Sequence, residues 1–250
     1  FFFKQKTAYE IPKRDWSSDV CSSDLINSAG YRDMYGYMTW LEYLQTQRYS
    51  YADTPDLWKT SEQPVGSMKD AVGLFIDYLQ SVEAQDNVGL SVFTHTNSVG
   101  AILEHGLSNN LTQIKTTTTQ RQAGHYVSGT NIYAGMKVAR DELTAHARPR
   151  ASRLMVLLTD GQANLPTNTS TATQLVLQEA QAAKDNKIKI VTIGLGADAD
   201  IATLQSVADT TGGVFFDIPG GQSVSAVQSQ LQNVFRQIAS SRTLKLISGQ

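Results

Sequence analysis

The sequence holds one cysteine, Cys21, in 250 residues, so no disulfide framework can form within the chain. Positive charge is not in surplus either. Lys and Arg number 21 against 23 Asp and Glu, and the net −2 leaves no footprint for a nucleic acid or an anionic membrane surface. No apolar run approaches the ~20 residues of a membrane span, and no secretory apolar segment stands at the start. The four histidines (His95, His105, His125, His146) show no zinc spacing such as H-E-x-x-H. A G-x-S-x-G elbow and a phosphate-binding P-loop are both missing, as is any internal repeat. What is present, 41% apolar and 18% charged residues, suits a globular protein with a substantial core.

Residues 1–25, FFFKQKTAYEIPKRDWSSDVCSSDL, resemble a translated sequencing adapter. CSSDL can be written TGC TCT TCC GAT CT, the end of a common short-read adapter, and KQKTAYEI and DWSSDV fit other stretches of it in frame. The segment has neither an amphipathic period nor a strand-like apolar run, so it is read as an artefact. Setting it aside removes Lys4, Lys6, Lys13 and Arg14 together with Glu10, Asp15, Asp19 and Asp24, and the net charge stays at −2. The rest, Ile26–Gln250, is then expected to be a fragment whose own N-terminus is missing.

From Ser67 the chain alternates between helical and extended patterns. SMKDAVGLFIDYLQSV puts Met68, Val72, Phe75, Ile76 and Leu79 on one helical face. NVGLSVFTH and SVGAILEHGL read as strands, and KTTTTQRQAG (115–124) as a polar loop. GTNIYAGMKVARDEL gives an amphipathic helix with Ile132, Met136, Ala139 and Leu143 inward. Then come the strand RLMVLLT, a helix within 171–186, the strand KIKIVTIGLG, a helix across 200–209 and the strand GVFFDI. A last helix places Val227, Leu231, Val234 and Ile238 inward. Strands separated by helices predict an α/β fold, a doubly wound, mostly parallel sheet with helices on both faces. Only HTNS joins the two early strands, too short for a helical crossover, which predicts an antiparallel pair at the sheet edge. Residues 26–66 carry most of the tyrosines and read as an aromatic-rich insertion with a short helix around 37–47. It is either a binding face or a self-packed cover for one end of the sheet.

The strand RLMVLLT stops at Asp160, with Gly161 behind it. Sites in open α/β sheets form beyond the carboxyl ends of the parallel strands, and Asp160 stands there. The loop YVSGTNI brings Ser128, Gly129 and Thr130 to the same edge. Each residue also has a plainer use: Ser128 or Thr130 as a helix N-cap, Asp160 as a turn former. Asp198 or Asp200 reads as a cap for the helix that follows, and His125 precedes Thr130 closely enough to approach it.

Taken together, SGTNIYAGMKVA, RLMVLLTDGQAN, VTIGLGADAD and LQSVADTTGGVFFDI resemble, in order, the von Willebrand factor type A domain, from Ser67 to about Ser241. That resemblance implies a Rossmann-like fold over 67–250 and a metal-ion-dependent adhesion site. The site combines a D-x-S-x-S loop after the first strand, a threonine from a second loop and an aspartate from a third. By this resemblance Thr130 and Asp160 are metal ligands, with Ser128, Gly129 and Gly161 as neighbouring or capping residues. Oxygen donors suit Mg²⁺ or Mn²⁺, and the open position would take a carboxylate from a partner protein.

No D-x-S-x-S lies between Ile26 and Ser67, and no hydrophobic first strand precedes it. The central strand is therefore expected to be missing, and the chain as given should bind metal weakly or not at all, unlike its parent. Asp19-Val20-Cys21-Ser22-Ser23 copies the pattern only with a soft thiol in place of a serine, a poor Mg²⁺ donor. The long insertion and the stop soon after the last helix resemble TadG-like proteins of Flp/Tad pilus assembly. This implies an extracytoplasmic adhesion module anchored in the membrane through upstream sequence. A cytoplasmic partner of a AAA+ ATPase is the alternative. A metal-dependent hydrolase is a weaker one, because DGQ lacks the second carboxylate such chemistry uses. Catalysis is not expected.

Overall fold

The computed structural model describes residues 65–240, apart from 83–84, 96–99, 122–124, 127–128 and 221. The adapter-like segment and the expected helix around 37–47 lie outside the described residues, as does Ser128. The last two positions of the 26–66 insertion already belong to the first helix.

Eleven elements follow in chain order: α1 (Val65–Ser81), β1 (Val88–Phe93), β2 (Ala101–Ser108), α2 (Leu111–Gln120), α3 (Ile132–His146), β3 (Arg153–Thr159), α4 (Thr169–Asp185), β4 (Ile188–Leu195), α5 (Ile201–Thr211), β5 (Phe215–Ile218) and α6 (Val224–Ser240). β3, β4 and β5 form a parallel sheet in that order, in register from Arg153↔Ile188 to Thr159↔Gly194 and from Thr192↔Phe215 to Leu195↔Ile218. β1 and β2 form the expected antiparallel pair, with register shifts between Val88 and Ser91. Among the described strands the two sheets share no hydrogen-bonded edge, and none lies between β1 and β3.

The core nevertheless runs through both sheets. One face gathers Leu90 and Val92 of β1 with Leu158, Val191, Ile193 and Ile218 under α1, α2 and α6. The other gathers Phe93 with Met155, Leu157, Ile188 and Ile190 under α3, α4 and α5. Successive residues of a strand point to opposite faces, so continuous apolar runs such as Met155–Leu158 serve both layers. Each fully buried aliphatic side chain here contributes roughly 1.5–3 kcal/mol. Phe75 of α1 meets Phe235 of α6 with ring centroids 5.6 Å apart, closing the first layer.

The polar loop expected at 115–124 is corrected: residues 115–120 are the second half of α2. Leu111, Ile114 and Thr118 are buried at spacings of three and four, and Asn110 accepts from Gln113 N at 3.1 Å as N-cap. Thr116, Thr118 and Thr119 donate their hydroxyls back to the carbonyls of Thr112, Ile114 and Lys115. Packing of one face against the core overrides the low helix propensity of a threonine run.

Candidate metal site

β3 pairs with β4 along its whole length and so delivers Asp160 to the carboxyl edge of the sheet. The turn there is held locally. Thr159 Oγ1 donates to the carbonyl of Gly161 at 3.1 Å and accepts from its N–H at 3.4 Å. Asp160 is only 7% exposed. A carboxylate taken that far from water needs a compensating donor or cation.

Thr130 reaches the same edge from the loop before α3. Its N–H donates to Asn164 Oδ1 at 2.9 Å, and Asn164 N–H donates to the Thr130 carbonyl at 3.1 Å. This reciprocal latch ties the Thr130 loop to the one that begins at Asp160. Gly129 fits because it has no side chain: a Cβ there would stand 2.5 Å from Leu165 Cδ1 and 3.0 Å from His95 Cβ. Gly129 therefore sits where His95, just after β1, and Leu165 of the Asp160 loop come close together.

The capping reading for Thr130 is overturned. The N-cap of α3 is Asn131, whose Oδ1 accepts from Ala134 N–H at 3.2 Å. Thr130 itself is fully buried, and its Oγ1 has no hydrogen-bond partner among the described residues. A buried hydroxyl left in that state costs about 1–3 kcal/mol. Asp160 brings a buried carboxylate to the same edge. Both donors are hard oxygens, so the residues present fit a Mg²⁺-like ion. Among the described residues no group of three or more His, Cys, Asp or Glu could hold a metal by itself.

Other expectations resolve plainly. Asp200 is the N-cap of α5, accepting from Thr203 N–H at 3.1 Å and from its hydroxyl at 2.6 Å. His125 is buried with its ring edge-on to Tyr126. The Tyr126 hydroxyl donates to Glu104 at 2.7 Å, and Arg121 pairs with the other oxygen of Glu104 at 2.5 Å. Burial, and then the adjacent Glu104 charge, push the Tyr126 phenol well above its usual range. Asn131 and Asn164 were missed from sequence. Asn131 directly before an apolar helix start was a legible cap signal; the cross-loop latch of Asn164 had no local signature.

The sequence model of the von Willebrand factor type A domain matches residues 58–242. No curated protein matches the chain at a significant level. Similar solved structures include BatB from Bacteroides thetaiotaomicron, at 17% identity, covering 72% of this chain and 91% of that one with a TM-score of 0.54. The PilB minor pilin from Streptococcus sanguinis is 18% identical over 76% of this chain and 57% of its own, with a TM-score of 0.55. Proximal thread matrix protein 1 from the mussel byssus, with a zinc-occupied MIDAS motif, is 19% identical over 70% of this chain and 40% of its own, with a TM-score of 0.52. At these identities the likeness is one of fold.

Proposed function

The chain belongs to the von Willebrand factor type A domain family, and from that premise we propose that it is a metal-dependent binding module for a protein partner, not an enzyme. The observation that carries this is the orphaned, fully buried hydroxyl of Thr130, latched by Asn164 to the loop that starts at Asp160. Thr130 and Asp160 hold a hard divalent cation, Mg²⁺ or Mn²⁺. A bound cation supplies an open coordination position for a carboxylate of the partner. The Thr130–Asn164 latch ties the two loops that carry these donors, and Gly129 leaves room for Leu165 beside it. No D-x-S-x-S occurs in the chain, so these two side chains are a minority of the donors the family pattern uses.

The finer reading is a cell-envelope module of the TadG-like type, extracytoplasmic and associated with pilus assembly. It rests on the long insertion before α1. A minor pilin and BatB among the proteins of similar fold are in keeping with it. The zinc named for the mussel protein makes the choice of ion part of the test.

The test is a titration of Mg²⁺, Mn²⁺ and Zn²⁺ into the natural full-length protein and its Asp160→Ala variant, with partner capture in metal and in chelator. We expect Mg²⁺ or Mn²⁺ affinity to fall at least about a hundredfold (roughly 2.7 kcal/mol) in the variant, with capture lost and the melting midpoint kept. Capture that persists in chelator would contradict the proposal.

A further inference from the structure

The amino ends of β3 and β4 form the pole of the sheet opposite Thr130 and Asp160, about 20 Å away along β3 at ~3.3 Å per residue. There the loop into β3 and the turn between α4 and β4 enclose an open cleft of about 550 Å³. Arg150, Ser152, Arg153, Asp185 and Lys187 line it. Three cations against one carboxylate leave the cleft at +2 in a chain whose net charge is −2.

These cations are not spent on neighbours. Asp185 Oδ1 already accepts from Gln181 Nε2 at 2.8 Å. Arg153 is steadied by a hydrogen bond from Nη1 to the carbonyl of Asn186 at 3.2 Å, which keeps its other N–H groups for a ligand. Arg150 and Lys187 have no ion pair among the described residues.

The backbone conformation places two of these side chains. Arg150 and Lys187, at φ +65° and +59°, are the non-glycine residues in left-handed conformation among those described, and both line this cleft. Such positions favour glycine or asparagine, because a Cβ is strained there. The turn after α5, which likewise leads from a helix into a strand, uses Gly212 at φ +70°. A glycine would meet the same geometric need at 150 and 187 with less strain. At 187 the left-handed residue ends α4, its N–H donating to the Lys184 carbonyl at 2.8 Å, and this sets the lysine at the rim of the cleft.

We propose that this cleft is an anion site for a multiply charged phosphate, either a diphosphate or a phosphate monoester on a small organic body. The two guanidinium forks and the lysine ammonium match phosphate oxygens in geometry and charge, and Ser152 offers a neutral hydroxyl donor. The site is separate from the metal-binding reading and does not depend on it.

Calorimetric titration of sodium pyrophosphate into the full chain, with chelator present to silence any cation site, tests the proposal. The double variant Arg150→Gly/Lys187→Gly is the comparison, because glycine removes the charge and relaxes both turns. We expect saturable binding in the unaltered chain and at least about a tenfold loss in the variant, with a melting midpoint equal to or above that of the parent. Raising the ionic strength should weaken the binding further. Equal affinity in the two proteins, or no saturable binding in either, overturns the proposal. A lost affinity accompanied by a lowered midpoint would return both residues to a structural role and overturn it as well. An acidic peptide that binds as tightly as pyrophosphate would overturn the phosphate assignment.

Discussion

The two poles of the parallel sheet are built by the same strand and are chemically opposite. β3 begins at Arg153, inside a cleft of cations, and is followed at its far end by the buried carboxylate of Asp160. At the carboxyl pole the polar groups are few, buried and fixed by neighbouring loops; at the amino pole they are charged, mostly exposed and held by strained turns. On the proposed reading, the carboxyl pole takes a small cation gripped by donors with little freedom. The amino pole can attract an anion from water, where long flexible side chains still serve. On these two proposals burial, more than charge alone, separates a coordinating site from a steering one.

Both poles hang on one scaffold, and the largest expected effect comes from breaking it. Arg140 of α3 donates from Nε to Glu179 of α4, and its Nη2 reaches the second carboxylate oxygen at 3.5 Å. Glu179 is 4% exposed. The bond to Glu179, ahead of any other influence, raises the Arg140 guanidinium above its ordinary value. Arg140→Ala strands that carboxylate in the interior, and chemical denaturation should register a loss of about 3 kcal/mol. Because α3 runs from the Thr130 loop toward Arg150, and α4 leads to Lys187, both poles should weaken together. Lys137→Ala on α3, which breaks only the exposed pair with Asp141, is the control and should cost under about 0.5 kcal/mol.

Gly129→Ala should separate the poles. Its methyl group would turn the Leu165 side chain aside and press on His95 Cβ, shifting the segments around Thr130 by a few tenths of an ångström at about 1 kcal/mol. Metal affinity should fall several-fold by calorimetry, while pyrophosphate binding stays within experimental error. Equal loss at both ends would show that the poles are coupled through the sheet and are not independent sites.

Much of this was readable from residue order. The apolar spacing that marked Met68, Val72, Phe75, Ile76 and Leu79 finds all five buried in α1, and Leu231, Val234 and Ile238 are buried in α6. RLMVLLT announced a strand covered on both faces, because only such a strand can afford a continuous apolar run. Asp160 was marked locally as a strand end, whereas Thr130 was singled out only by the family resemblance, since the cap signal beside it belongs to Asn131. α2 was not marked locally, since its threonines look extended until the core buries Leu111 and Ile114. The latch of Asn164, the pair of Arg140 with Glu179 and the cationic cleft each join residues far apart in sequence, where no local period can reveal them.

The most direct test lies in one hydroxyl. Thr130→Val keeps the shape of the side chain and removes only the buried oxygen that has no hydrogen-bond partner among the described residues. Mn²⁺ calorimetry and thermal unfolding in chelator should be run on the natural full-length protein and this variant. The account predicts a midpoint unchanged or raised in the variant, since a costly orphan is gone, with Mn²⁺ affinity at least about tenfold weaker. Undiminished Mn²⁺ affinity would contradict it.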